Sequence, residues 1–297
     1  MKKNRLLLLL SVFVVAALVL AACGGEAELG TEENPIKWVL VPSGETADVL
    51  SSFDTVAQLI FEETGLVVQP FVATSNAAAI EAMCADPVQA HIGSLATFTY
   101  MIASARDCAA AALVSVRFGS ASYNGQIFSQ TGSGINELAD IAGLTFCRAD
   151  ALSTSSWIIP SLELAGAGVD LDELSVVDAG SHDASVTGVY TGDCDAGASF
   201  VDARATIEDE FPDVMDVLQV IFITGDIPND GVQFVPGFDA DLRTRIVDAL
   251  LAIMATEDGV AAMDAAYEWT GLEVHGDEFY DQFRQILDAA GVSPEDL

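Results

Sequence analysis

The chain has 297 residues, 51% of them hydrophobic, with 45 acidic residues against 11 basic ones and a formal net charge of −34. That length carries one large or two ordinary domains with a sizeable core. The charge makes nucleic acid and anionic lipid headgroups poor partners. Three of the basic residues stand in the first five positions, and Lys37 is the one lysine beyond them. Such acidity suits high salt, where screening removes self-repulsion.

Lys2, Lys3 and Arg5 precede an apolar stretch over residues 6–20 and the small residues Ala21 and Ala22. These are the three parts of a secretory signal, and the stretch is shorter than the roughly 20 residues that span a bilayer. Cys23, directly after it, resembles a bacterial lipobox cysteine. The expectation is a signal peptide over 1–22, lipidation of Cys23 and a tether over 23–35. The folded part would then sit outside the cytoplasmic membrane, held by acyl chains alone.

Strands and helices alternate from there. Residues 36–41 are a nearly continuous apolar run, as in a strand buried on both faces. Val49, Phe53, Val56 and Ile60 repeat at helical spacing, and Gly65 stops that helix. A strand follows at 66–72, a helix capped by Asn76 runs through Met83, and a short strand lies at 91–93. A helix through Arg106 leads to a strand at 111–118. The second series has strands at 125–130, 144–148, 174–178, 195–200 and 218–224. Helices are expected near 135–141, after Ser153, at 184–190 and at 203–211. Beyond a strand at 232–235, three helices fall around 239–256, 258–269 and 277–290. Such alternation implies α/β architecture with mostly parallel sheets, in two lobes.

Besides Cys23 there are four cysteines, Cys84, Cys108, Cys147 and Cys194. An even number in an exported chain favours disulfides over buried free thiols, with three connectivities open. Sequential pairing, Cys84–Cys108 and Cys147–Cys194, keeps each bridge within one half of the chain. No close ligand spacing exists among them and histidines are few, so neither a metal nor a cofactor is expected.

Three stretches carry candidate chemistry. Ser153, Thr154, Ser155 and Ser156 stand between a strand and a helix, where hydroxyls, free backbone N–H groups and the helix dipole make an oxyanion cradle. One such residue would suffice for an ordinary cap. The run Gly180-Ser181-His182-Asp183 places His182 at the carboxyl edge of the same sheet, where open α/β folds bind ligands. Residues 226–231, Asp-Ile-Pro-Asn-Asp-Gly, form a rigid turn able to return the chain to the first lobe. Arg148 is a further candidate donor.

Together, Gly180–Asp183, Asp193-Cys194-Asp195-Ala196-Gly197-Ala198 and Ile227-Pro228-Asn229-Asp230 resemble the phosphate/phosphite/phosphonate-binding proteins of ABC importers. Val41-Pro42, Ile92-Gly93 with Tyr100, Ser122-Tyr123 and Leu152–Ser155 fit in order. The resemblance implies a type II periplasmic-binding-protein fold: two α/β lobes joined by a double-crossover hinge, with the ligand in the cleft. Lobe one would be 36–118 plus 233–297, and lobe two 119–232. It also implies an oxyanion loop at Ser153, Thr154 and Ser155, a ligand-facing His182, a cleft carboxylate at Asp202, and cleft positions at Tyr123 and Asp230. Ser75-Asn76 replaces an Asp-Tyr pair found in many members, removing an aromatic wall, and Ser43-Gly44-Glu45 replaces a tyrosine-containing turn.

The resemblance implies a monomeric receptor that hands a small phosphorus oxyanion to ABC permease and ATPase subunits and is not an enzyme. No Gly-x-Ser-x-Gly elbow, His-Glu-x-x-His or P-loop pattern is present. A sulfonate-type ligand, or a sensory lipoprotein on the same fold, are the alternatives.

Overall fold

The computed structural model describes residues 27–41 and 46–294, so the signal, Cys23 and Pro42–Glu45 lie outside the described residues. The chain opens with β1 (Ile36–Leu40), α1 (Thr46–Thr64), β2 (Val68–Val72), α2 (Asn76–Cys84), β3 (Ile92–Ser94), α3 (Thr97–Ala105) and β4 (Ala110–Val116). Val49, Phe53, Val56 and Ile60 are the buried face of α1, and Gly65 leaves the helix at φ +72°, the left-handed region glycine adopts freely. Ser75, not Asn76, caps α2, its hydroxyl accepting from the Ala78 N–H at 3.1 Å.

A second unit follows: β5 (Ser122–Gln130), β6 (Thr145–Arg148), α4 (Ile159–Gly166), β7 (Ser175–Asp178), α5 (His182–Thr191), β8 (Ala196–Phe200), α6 (Val214–Val217) and β9 (Leu218–Pro228). The chain then returns through β10 (Gly231–Phe234), α7 (Ala240–Ile253), α8 (Glu257–Tyr267), β11 (Gly271–Val274) and α9 (Asp281–Ala289). The expected helices at 135–141 and 203–211 reduce to 3₁₀ turns, Leu138–Ile141 and Ala203–Ile207.

Sheet one has the order β11-β4-β10-β3-β1-β2, and sheet two β7-β6-β8-β5-β9. The chain crosses between the sheets twice, from β4 to β5 and from β9 back to β10, which gives the two-lobe architecture. The sheets are mixed rather than mostly parallel. β10 and β11 run antiparallel to their neighbours in sheet one, and β5 runs antiparallel to both β8 and β9. β5 and β10 arrive from the other lobe and enter their sheets at the cleft edge, where the parallel strands end, so they run against those strands. β10 also begins at Gly231, so sheet one takes two residues that the sequence reading put in lobe two.

One apolar cluster spans the lobes: Ile158 and Ile159 of the second unit pack with Phe98, Tyr100 and Met101 of the first. The other face of sheet one is covered by α1, α7 and α8 around Trp38, Phe53 and Trp269. Disulfides join Cys84 to Cys108 and Cys147 to Cys194, with Cα–Cα separations of 4.9 and 5.7 Å.

Candidate ligand-binding site

A cavity of about 40 Å³ lies where the lobes meet. One water needs roughly 10–15 Å³, so there is room for a group of a few heavy atoms. Lobe two supplies Tyr123, Ser153, Thr154, Ser155, His182 and Phe200, while lobe one supplies Val41, Asn76, Ala96, Arg117 and Tyr267. Asp230, in the return crossing, also lines it.

Several helix starts point at this space. Ser153 begins a π turn, Thr154–Ile158, that runs into α4, and its hydroxyl accepts from the Ser156 N–H. Ser156 itself is structural: its hydroxyl accepts from the Ala149 N–H and donates to the Ala198 carbonyl, each at 2.7 Å, fixing the turn to β8. Thr154 faces the other lobe, where its hydroxyl accepts from the Phe98 N–H at 2.9 Å. Ala96 begins α3 with no side-chain cap of its own, whereas at the start of α2 the Asn76 N–H already donates to Asp150 Oδ2. Unpaired N–H groups at such starts favour an anion.

His182 opens α5, with Nδ1 2.7 Å from the Ser199 hydroxyl and the ring edge-on to Phe200. Burial, and then the Arg117 charge, lower its pKa to about 4, so it enters the cavity as a neutral hydrogen-bonding ring. Burial, with the Asp230 charge adding to it, raises the Tyr123 hydroxyl, which lies by the Ser155 and Thr97 hydroxyls. The Asp230 carboxylate accepts from the Ser115 hydroxyl at 2.9 Å and from Arg117 Nη2 at 3.0 Å. Arg117 Nε donates to the Tyr267 carbonyl at 2.9 Å. The Tyr267 hydroxyl donates to the Val41 carbonyl, closing the wall of the cavity.

Over residues 39–280 the chain matches the family described as ABC transporter, phosphonate, periplasmic substrate-binding protein. It belongs to that family. Among curated proteins, it is 28% identical over 201 residues to the phosphate-import protein PhnD of Mycolicibacterium smegmatis. That alignment spans 62% of each chain. A binding protein component of an ABC phosphonate transporter from Pseudomonas aeruginosa superposes with a TM-score of 0.77 at 20% identity, covering 86% of this chain and 87% of that one. PhnD1 from Prochlorococcus marinus, solved with methylphosphonate, gives 0.74 at 15% identity, covering 86% and 98%. Both solved structures share the fold.

Within this phosphonate-binding family member, Ser153, Thr154, Ser155, His182, Tyr123 and Asp230 come together around one cavity. Asp202 does not join them, which corrects the sequence reading. Its Oδ1 accepts from Gln126 and from Arg204 Nε, both at 2.9 Å, and its Oδ2 accepts from Arg204 Nη2 at 2.6 Å. Burial alone would raise its pKa, but the hydrogen bonds from Arg204 and Gln126 and the Arg204 charge hold it below the usual carboxylate range. Arg148 is likewise elsewhere, stacked on Trp157 at 4.5 Å and paired with Asp178 at 2.6 Å. The sequence reading missed Arg117, Phe200 and Tyr267. Arg117 carried a signal, being one of few cations and standing just before the first crossover.

Proposed function

We propose that this protein captures a small phosphorus oxyanion (phosphonate, phosphite or phosphate) outside the cytoplasmic membrane and delivers it to ABC permease and ATPase subunits. It does no chemistry on the ligand. Cys23, outside the described residues, is the site of the lipid anchor, and the receptor acts as a monomer. The observation that carries this reading is the cavity of about 40 Å³, with hydroxyls of Ser153–Ser155, a neutral His182 and the Asp230 carboxylate on its walls.

Hydroxyls and helix starts suit the charged oxygens, and a carboxylate accepts a P–OH proton that sulfate lacks. Size favours phosphate, phosphite and methylphosphonate over an aminoethyl compound, since Asn76 stands where an aromatic wall would hold an alkyl arm. The methylphosphonate bound by the Prochlorococcus protein and the phosphate imported through the Mycolicibacterium protein are of this size. A thermal-shift panel with phosphate, phosphite, methylphosphonate, aminoethylphosphonate and sulfate tests it. A specific ligand at a hundredfold excess over Kd stabilises by about 2.7 kcal/mol. Equal small shifts with every salt, or the largest shift with sulfate, would sink the proposal.

A further inference from the structure

Among the described residues, Arg117 and Asp230 are the one cation and the one carboxylate lining the cavity. Their side chains are only 14% and 12% exposed, so solvent screens the pair weakly. They stand on the two crossings of the chain, Arg117 just beyond β4 and Asp230 just before β10. The guanidinium uses Nε on the Tyr267 carbonyl and Nη2 on Asp230, which leaves Nη1 without a protein acceptor among the described residues. A carboxylate has about four lone-pair sites. Ser115 and Arg117 occupy two on Asp230, and the others remain for a ligand P–OH.

Arg117 also lines a second space, immediately outside, with Asp48, Asp183, Asp264 and Glu268. An arriving anion therefore meets carboxylates from α1, α5 and α8 and a single cation. We infer that Arg117 sets the charge this site tolerates: it offsets Asp230 and the acidic mouth, so that doubly charged phosphate, which still carries a P–OH, binds as well as the singly charged form. This rests on the oxyanion reading above and adds a residue that lets one ligand bind in two protonation states. Asp230 accepts from a P–OH, which phosphate keeps in both forms, and Arg117 serves the extra bare oxygen of the doubly charged form.

The neighbours do not supply that tolerance. His182 at the start of α5 is neutral above about pH 4, and burial raises Tyr123 on β5 and Tyr267 at the end of α8. Glu268 is raised by burial despite Arg117, with Asp264 and Asp183 adding to the rise. A Glu268→Gln background separates its titration from the effect of Arg117.

Calorimetry with inorganic phosphate below and above its second ionisation, at about pH 6 and about pH 8.5, is the test. The unmodified protein and Glu268→Gln should each change in affinity by less than about threefold between the two. Arg117→Gln should lose about tenfold more at the higher pH than at the lower, a difference of ~1.4 kcal/mol. Arg117→Lys, which keeps the charge, should recover most of that loss. The double variant Arg117→Gln/Asp230→Asn, which buries no unpaired charge, should again be flat with pH. Equal losses at both pH values in Arg117→Gln would make Arg117 a mere structural anchor and overturn the inference, as would unchanged affinity. Binding of none of phosphate, phosphite or methylphosphonate by the unmodified protein would instead overturn the oxyanion reading itself, and this inference with it.

Discussion

Single residues in the cavity divide into those that serve a ligand and those that serve the fold, and hydrogen-bond partners tell them apart. Ser156 spends its hydroxyl on Ala149 and Ala198, whereas Ser155 lines the cavity. Thr154 does both, since it also accepts from Phe98 across the cleft. A hydrogen bond to a charged group contributes about 1.5–3 kcal/mol. Ser155→Ala should therefore weaken phosphate binding about tenfold or more while the melting temperature without ligand stays unchanged. Thr154→Ala should weaken binding and also lower that melting temperature, because the Phe98 N–H loses its acceptor. Full affinity in Ser155→Ala by calorimetry would remove it from the ligand's shell.

His182 gives a pH signature independent of any ligand. Its pKa falls from 6.5 to about 4 on folding, so in that interval the unfolded chain holds more protons than the folded one. The stability associated with the neutral ring is complete above pH 6.5 and is lost as pH falls toward about 4. The loss is on the order of 3 kcal/mol at full shift. Denaturant titrations of His182→Asn should show a shallower decline than the unmodified protein between those two values. Parallel curves would mean that the ring is not held neutral.

Among the elements, those with a strong apolar period were readable in the sequence. The stripe of α1 and the strands β1, β6 and β8 fall where their side-chain patterns put them. The exceptions have physical reasons. β11 has only four residues, Gly-Leu-Glu-Val, and gains strand form from pairing with β4, which no local pattern reveals. Ser75 and Asn76 are both good caps, and only the backbone selects between them. Asp202 was misplaced because Arg204, two residues on, claims its carboxylate. Arg117 was missed because its partner Asp230 is 113 residues away in sequence. A pairing at that distance is created by the double crossing.

One helix start also holds the lobes together. The Asn76 N–H at the start of α2 donates to Asp150 Oδ2 at 3.1 Å, while Asp150 Oδ1 accepts from the Leu152 N–H at 2.7 Å within its own lobe. Asp150 thus works as a latch between lobes and does not line the cavity. Asp150→Ala should weaken phosphate, phosphite and methylphosphonate alike, each by about tenfold, since a charge-assisted bond formed on closure is lost. The ratios between ligands should stay as they were, and small-angle scattering should report a larger radius of gyration without ligand. Altered ratios would place Asp150 in contact with the ligand.

Over the whole molecule, a net charge of −34 opposes the capture of any anion. The attraction is local: helix starts at Ser153 and Ala96, and the Arg117 guanidinium, which is balanced by Asp230. Long-range repulsion and short-range attraction respond differently to salt. The screening length falls from ≈ 8 Å at about 0.15 M to ≈ 3 Å at about 1 M. Salt therefore removes the repulsion felt during approach before it weakens contacts formed inside the closed cavity. Stopped-flow measurements of phosphate association should give a rate constant that rises several-fold between about 0.1 and about 1 M potassium chloride, with dissociation nearly constant. Receptors with a basic surface would show the opposite trend. A rate that falls with salt here would mean that the local positive field reaches out past the acidic mouth and governs encounter despite the net charge.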